Sequence, residues 1–154
     1  MIKILQVNKL YYPWIGGVET IVKQLAEGLK GGVQTTVLAC QSKGSGTAEE
    51  INGVKVYKAA SFTMAMGMPV SLDFFGIFKK LIKENDLIFL HHPFPLSFLA
   101  YFLFGRNKKV VVWYHSDIVR QKIFGFVFSP ILKAVLKKSS KIFKLNAPDD
   151  AAII

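Results

Sequence analysis

A single cysteine, Cys40, stands in a chain of 154 residues. One thiol excludes an internal disulfide framework and points to a reducing compartment, and at the end of an apolar run it reads as an inert core residue. Acidic residues are scarce as well: 10 Asp and Glu face 20 Lys and Arg, for a formal net charge of +10. That imbalance attracts anions without choosing among nucleic acid, anionic lipid and a phosphorylated substrate. The opening MIKILQVNKLYYPW lacks the sustained apolar segment of a secretory signal. Residues 87–105 carry no charge, but Pro93 and Pro95 fall among them. Two prolines so close would break a spanning helix, so strand, turn and buried helix are expected there. A G-x-G-x-x-G fingerprint is absent, so a nicotinamide or flavin enzyme is not indicated. With three histidines and one cysteine, a zinc site has little support.

What the chain does have is apolar mass. Hydrophobic residues make up 51% and Phe alone contributes 13, too much for a disordered chain. A domain of this size buries roughly 70% of its unfolded surface, so residues 1–154 are read as one globular domain. Residues 2–7 form an apolar run typical of a strand. A turn-rich stretch, YYPWIGG, then leads into a helical stripe of Val18, Ile21, Val22, Leu25 and Leu29. Gly31 and Gly32 are expected to stop that helix. Further strands are expected at 33–39, 54–57, 87–90, 110–114 and 142–145. Phe74, Ile77, Phe78, Leu81 and Ile82 make a second helical stripe that Ser71 is placed to cap. Helices are also expected over 96–104 and over 118–138, the latter interrupted at Pro130. Residues 41–52 read as a mobile polar loop and 61–69 as an apolar loop. Strands alternating with helices predict an α/β, Rossmann-like, doubly wound and mainly parallel sheet of about six strands. The closing NAPDDAAII reads as the start of another connection, which suggests a fragment or a truncated product.

Parallel sheets place ligands at the carboxyl ends of their strands, and three unusual segments fall there. In Pro13-Trp14-Ile15-Gly16-Gly17-Val18-Glu19, two glycines precede a helix whose N-terminus favours an anion such as phosphate. The bland alternative is a tight turn with no ligand. His91 and His92 close the fourth expected strand, as sugar contacts, acid–base groups or ordinary hydrogen-bonded core histidines. Trp113-Tyr114-His115-Ser116-Asp117 closes the fifth, and an imidazole held there can donate to a substrate hydroxyl or stabilise charge on a sugar ring.

The opening strand, PWIGGVE with its helix, the His-x-Pro-like segment and the strand ending in His115 together resemble the large retaining family four of GT-B glycosyltransferases. The resemblance implies that the chain is the N-terminal, acceptor-side domain of a two-domain enzyme. It also implies transfer of a hexose-type sugar from a nucleoside-diphosphate sugar to the hydroxyl of a sugar or lipid-linked acceptor, with no bound metal or other cofactor. Gly16, Gly17 and Glu19 would belong to the loop facing the donor diphosphate. His115 would be the catalytic residue touching the reacting sugars, and His92, Ser116 and Asp117 would line the acceptor cleft. The family's donor-binding carboxylates, in a Glu-x7-Glu pattern, would lie in a C-terminal domain absent from this chain. The loop after the first helix reads KGGVQ where a Gly-His-x-Val pattern is common.

Two other readings stand beside this one: a non-catalytic module of the same fold, and an inactive truncated product. Nucleic-acid binding is not expected, because the aromatics sit in apolar runs rather than among the basic residues. Residues 118–144 mix Phe124, Phe126 and Phe128 with Arg120, Lys122, Lys133, Lys137 and Lys138, which suits an anionic membrane surface. The expected location is cytoplasmic, peripheral on the inner face of a membrane.

Overall fold

The computed structural model describes residues 1–29, 32–115 and 122–144. The first apolar run forms β1 (Ile2–Val7), and the amphipathic stripe after Gly16 forms α1 (Gly17–Gly28). Then follow β2 (Val33–Cys40), β3 (Thr47–Ile51), β4 (Val54–Ala59) and the short β5 (Thr63–Ala65) and β6 (Met68–Val70). The second half alternates α2 (Asp73–Glu84), β7 (Leu87–His92), α3 (Pro95–Ala100), β8 (Lys109–Tyr114), α4 (Lys122–Lys138) and β9 (Lys141–Lys144). A π-helical turn over Tyr101–Gly105 continues α3.

The main sheet has seven strands in the order β3-β4-β2-β1-β7-β8-β9. Every neighbouring pair is parallel except β3 with β4. This is the expected doubly wound α/β sheet. From β1 the chain winds outward to β2 and β4, then returns to start again at β7. The order therefore reverses between β1 and β7, and a crevice opens at such a switch point. Leu5, Val7, Leu38, Ile88, Leu90, Val110 and Val112 face α2, α3 and α4, and meet Phe74, Phe78, Phe98 and Val135. On the other face Val37, Val54 and Val56 pack with Val22 and Ala26 of α1. The α1 layer thus covers only the β2–β4 side, leaving the β7–β8 part of that face to other side chains.

Several expectations change. Residues 41–52 are not simply a loop: Thr47–Ile51 is an antiparallel edge strand, held in register by β4 and by a Lys58–Glu49 ion pair of 2.7 Å. Residues 61–69 hold a hairpin turning at Met66 and Gly67, both at positive φ, as a tight hairpin turn demands. α1 ends at Gly28, before Gly32, whose φ of +97° starts the approach to β2. Gly31 lies outside the described residues. β7 runs on through both histidines. α4 continues through Pro130, since Ile131, Leu132 and Leu136 pack beside Val135 on the core and offset the one lost N–H bond. Ser71 does cap: its hydroxyl accepts the Phe74 N–H at 3.1 Å. Residues 87–105 divide among β7, α3 and the π turn. Among the described residues no helix is long and apolar enough to cross a membrane.

Candidate functional site

Side chains alternate across a strand, so residues two apart share a face. On the face that α1 leaves open, His91 of β7 and Trp113 of β8 are register partners, and His115 follows two residues on. The three rings form a triangular cluster: His91–His115 centroids are 5.3 Å apart, Trp113–His115 5.7 Å and His91–Trp113 6.2 Å. Phe143 of β9 joins the cluster through Trp113, 5.4 Å away. The His115 N–H continues the ladder to the His92 carbonyl at 3.3 Å, which fixes the backbone that carries the imidazole.

A hydrogen-bonded chain runs through two of these rings and links β1, β7 and the end of β8. Gln6 Oε1 of β1 lies 3.0 Å from His91 Nε2, and His91 Nδ1 lies 3.0 Å from His115 Nε2. With the amide oxygen accepting, His91 carries its proton on Nε2 and offers a lone pair at Nδ1. His115 must then donate from Nε2, which leaves its Nδ1 as an acceptor. That nitrogen is itself buried and has no hydrogen-bond partner among the described residues. Burial, with a smaller contribution from His115, pushes the His91 pKa down to about 3. Burial and then the neighbouring His92 push His115 down to about 4. Both rings are therefore neutral at pH 7.

His92 points the other way. It stacks on Tyr114 at 4.2 Å and meets the edge of Phe98, and only 3% of its surface is exposed. Strand alternation sends it under α3, so it supports the sheet edge instead of lining the cleft with His115. Ser116 and Asp117 lie outside the described residues, as do the side chains of the Phe124–Phe128 cluster.

The glycine segment follows β1 on the same edge of the sheet. Gly16 is the N-cap of α1, and its carbonyl accepts the Thr20 N–H at 2.9 Å. The Glu19 side chain folds back over it, so a methyl group at Gly16 would run into that carboxylate. Glu19 is 8% exposed and its Oε1 has no partner among the described residues. In the first turn the carboxylate gains from the helix dipole. A Cβ at Gly17 would meet nothing, so that backbone is open to an approaching group. Trp14 and Ile15 stand exposed beside it. Further along the same edge, Gly44, Ser45, Ala60, Ser61, Phe62 and Asp73 enclose a hollow of about 310 Å³.

Sequence reasoning placed the glycines and His115 at one sheet edge, and in the structure they follow β1 and β8, two parallel strands of one sheet. It missed Gln6. The available signal was one amide inside the apolar run IKILQV, 1% exposed in the fold.

Known proteins resemble this chain in both sequence and fold. Residues 15–143 match the model of Glycosyltransferase Family 4. The D-rhamnosyltransferase WbpZ of Pseudomonas aeruginosa is 32% identical over 129 residues, 83% of this chain and 34% of that protein. The O-antigen chain mannosyltransferase C of Escherichia coli is 31% identical over 137 residues, 87% of this chain and 37% of that protein. The chain thus spans about a third of the length of these curated relatives. The sucrose-phosphate synthase of Thermosynechococcus elongatus superposes with a TM-score of 0.60 over 92% of this chain and 42% of its own, at 13% identity, a likeness of fold. With the family match covering both the glycine segment and the strand that ends in His115, the chain belongs to glycosyltransferase family 4, as an N-terminal domain of the GT-B fold.

Proposed function

We propose that this chain is the acceptor-side half of an enzyme that moves a hexose-type sugar from a nucleoside-diphosphate sugar to an acceptor hydroxyl in the synthesis of a cell-surface glycan or glycolipid. The observation that carries this reading is the Gln6–His91–His115 chain, which leaves one neutral, buried imidazole nitrogen unpaired at the end of β8, where a sugar hydroxyl would have to displace its cover to reach it. Such a nitrogen accepts a sugar hydroxyl and holds the ring in place while the glycosidic bond breaks. Leaving-group charge builds on the diphosphate, and the open backbone at Gly17 with the N-terminus of α1 offers it donors from this side. The complementary groups, including the paired glutamates of the donor half, belong to a second domain. Ser116 and Asp117, next after His115, complete the acceptor side. The two curated relatives transfer rhamnose and mannose by their names, which favours a hexose or deoxyhexose. The working location is the cytoplasmic face of a membrane.

The test is turnover of a panel of nucleoside-diphosphate sugars by the full-length protein. Transfer to a glycan acceptor, reduced in His115→Ala, supports the reading. Binding of glycans without turnover of any donor would favour a non-catalytic module of the same fold.

A further inference from the structure

A rigid apolar ridge ringed by cations lies at the other end of the helical layer. In the π turn, Leu103 is 55% exposed and Phe104 39%. The turn cannot relax to hide them. Gly105 is pressed so closely on Tyr101 and Ile82 that any side chain there would clash, and the Tyr101 hydroxyl donates to the Lys108 carbonyl at 2.8 Å. Cations surround the ridge. The Lys79 ammonium stands 5.5 Å from the Phe104 centroid, and the Arg106 guanidinium 4.6 Å from that of Phe102. Lys138 donates to the Arg106 carbonyl at 3.2 Å, which brings the end of α4 to the same place. Among the described residues the ion pairs are Lys23–Glu27 and Lys58–Glu49, so no carboxylate neutralises these three. The acid nearest along α2, Glu84, lines a separate hollow beside Lys3 and Lys55.

We propose that this face docks on an anionic lipid bilayer, with Leu103 and Phe104 entering the headgroup boundary and Lys79, Arg106 and Lys138 on lipid phosphates. An exposed apolar pair suits hydrocarbon, and unpaired cations beside it suit an anionic surface. A second copy of a chain at +10 would be repelled. Nucleic acid would engage the cations but gain little from Leu103, which has no face for a base to stack on. The proposal deepens the membrane-peripheral reading by naming its surface. It also has a geometric consequence. The face lies near the start of β8 and His115 just past its end, roughly 20 Å away. The hydroxyl to be glycosylated is therefore the outer end of a carrier-linked glycan and not a group at the bilayer surface.

The experiment is co-sedimentation of the 154-residue chain with phosphatidylglycerol-containing vesicles and with pure phosphatidylcholine vesicles, at low and high salt. Binding is expected to the anionic vesicles and to fall with salt. Each of Lys79→Gln, Arg106→Gln and Lys138→Gln should lower it about fivefold. Leu103→Ser with Phe104→Ser should abolish it while leaving the charge and the circular dichroism spectrum unchanged. Lys55→Gln, on the opposite half of the sheet, should lower binding far less than any of those three. Failure to bind, equal binding to neutral vesicles, indifference to the serine pair, or preference for a single-stranded oligonucleotide would each overturn the proposal. No sugar nucleotide enters the assay, so its outcome is independent of whether the enzyme transfers sugar.

Discussion

His91 and His115 share one hydrogen bond, Nδ1 to Nε2 at 3.0 Å, so the protonation of one ring dictates that of the other. Because Gln6 holds the far side of His91, the tautomer that leaves the buried His115 Nδ1 unpaired is set by a residue on a different strand.

Replacing His115 by Ala in the full-length protein should lower turnover by about 10²–10⁴, the usual worth of a positioned proton-handling group. Stability should fall by about 1–3 kcal/mol as well, since the variant strands the Nδ1 of the buried His91. Steady-state kinetics beside a urea melt tests both halves; near-normal turnover would remove His115 from the chemistry.

Gln6→Leu should cost about 1–3 kcal/mol of stability, because it strands the buried His91 N–H. Turnover should fall with it, as His91 loses the partner that fixes its tautomer. Denaturant midpoints check the first effect, and kcat at saturating donor the second.

Acid should destabilise the domain earlier than its carboxylates alone would dictate. Folded pKa values near 3 for His91 and 4 for His115 lie below the ordinary 6.5. The unfolded chain therefore binds protons that the folded one refuses. Stability is fully present above pH 6.5 and is lost progressively as pH falls toward 4. His91→Gln should flatten that slope, which urea titrations at stepped pH would reveal.

Two glycines should respond differently to alanine. At Gly16 the obstacle is the free end of the Glu19 side chain, which can swing away, so the cost should stay below about 1 kcal/mol. At Gly105 the obstacle is the buried Tyr101 ring together with Ile82, and overpacking there should cost about 1–3 kcal/mol. Thermal melts of the two variants decide it. Gly16→Ala should still reduce transfer in the full-length enzyme, because the displaced carboxylate intrudes on the loop.

The inner strands β1, β2, β7 and β8 were legible because strands buried on both faces read as nearly continuous apolar runs. β3 was not: TAEEI is largely exposed, and only its pairing with VKVYK makes it a strand. The hairpin after β4 was hidden for a related reason, since Met66 gives no turn signal and takes its left-handed backbone from the strands it joins. At the site, His115 could be found as a polar residue closing an apolar strand. Its link to His91 and Gln6 spans sequence separations of 24 and 85 and follows only from strand order and register. The same alternation moved His92, adjacent to His91 in sequence, to the opposite side of the sheet.

The ring cluster has a parity. One residue inserted into β8 between Val111 and Trp113 would turn Trp113 and His115 toward α3 and bring Tyr114 into their place. Two inserted residues would restore the facing but carry His115 a further 7 Å or so beyond Gln6 and His91. Length changes in this strand are therefore tolerated neither singly nor in pairs. Loops after β2 and β4 on the same edge carry no such phase, so they can lengthen and diverge while the chemistry stays fixed.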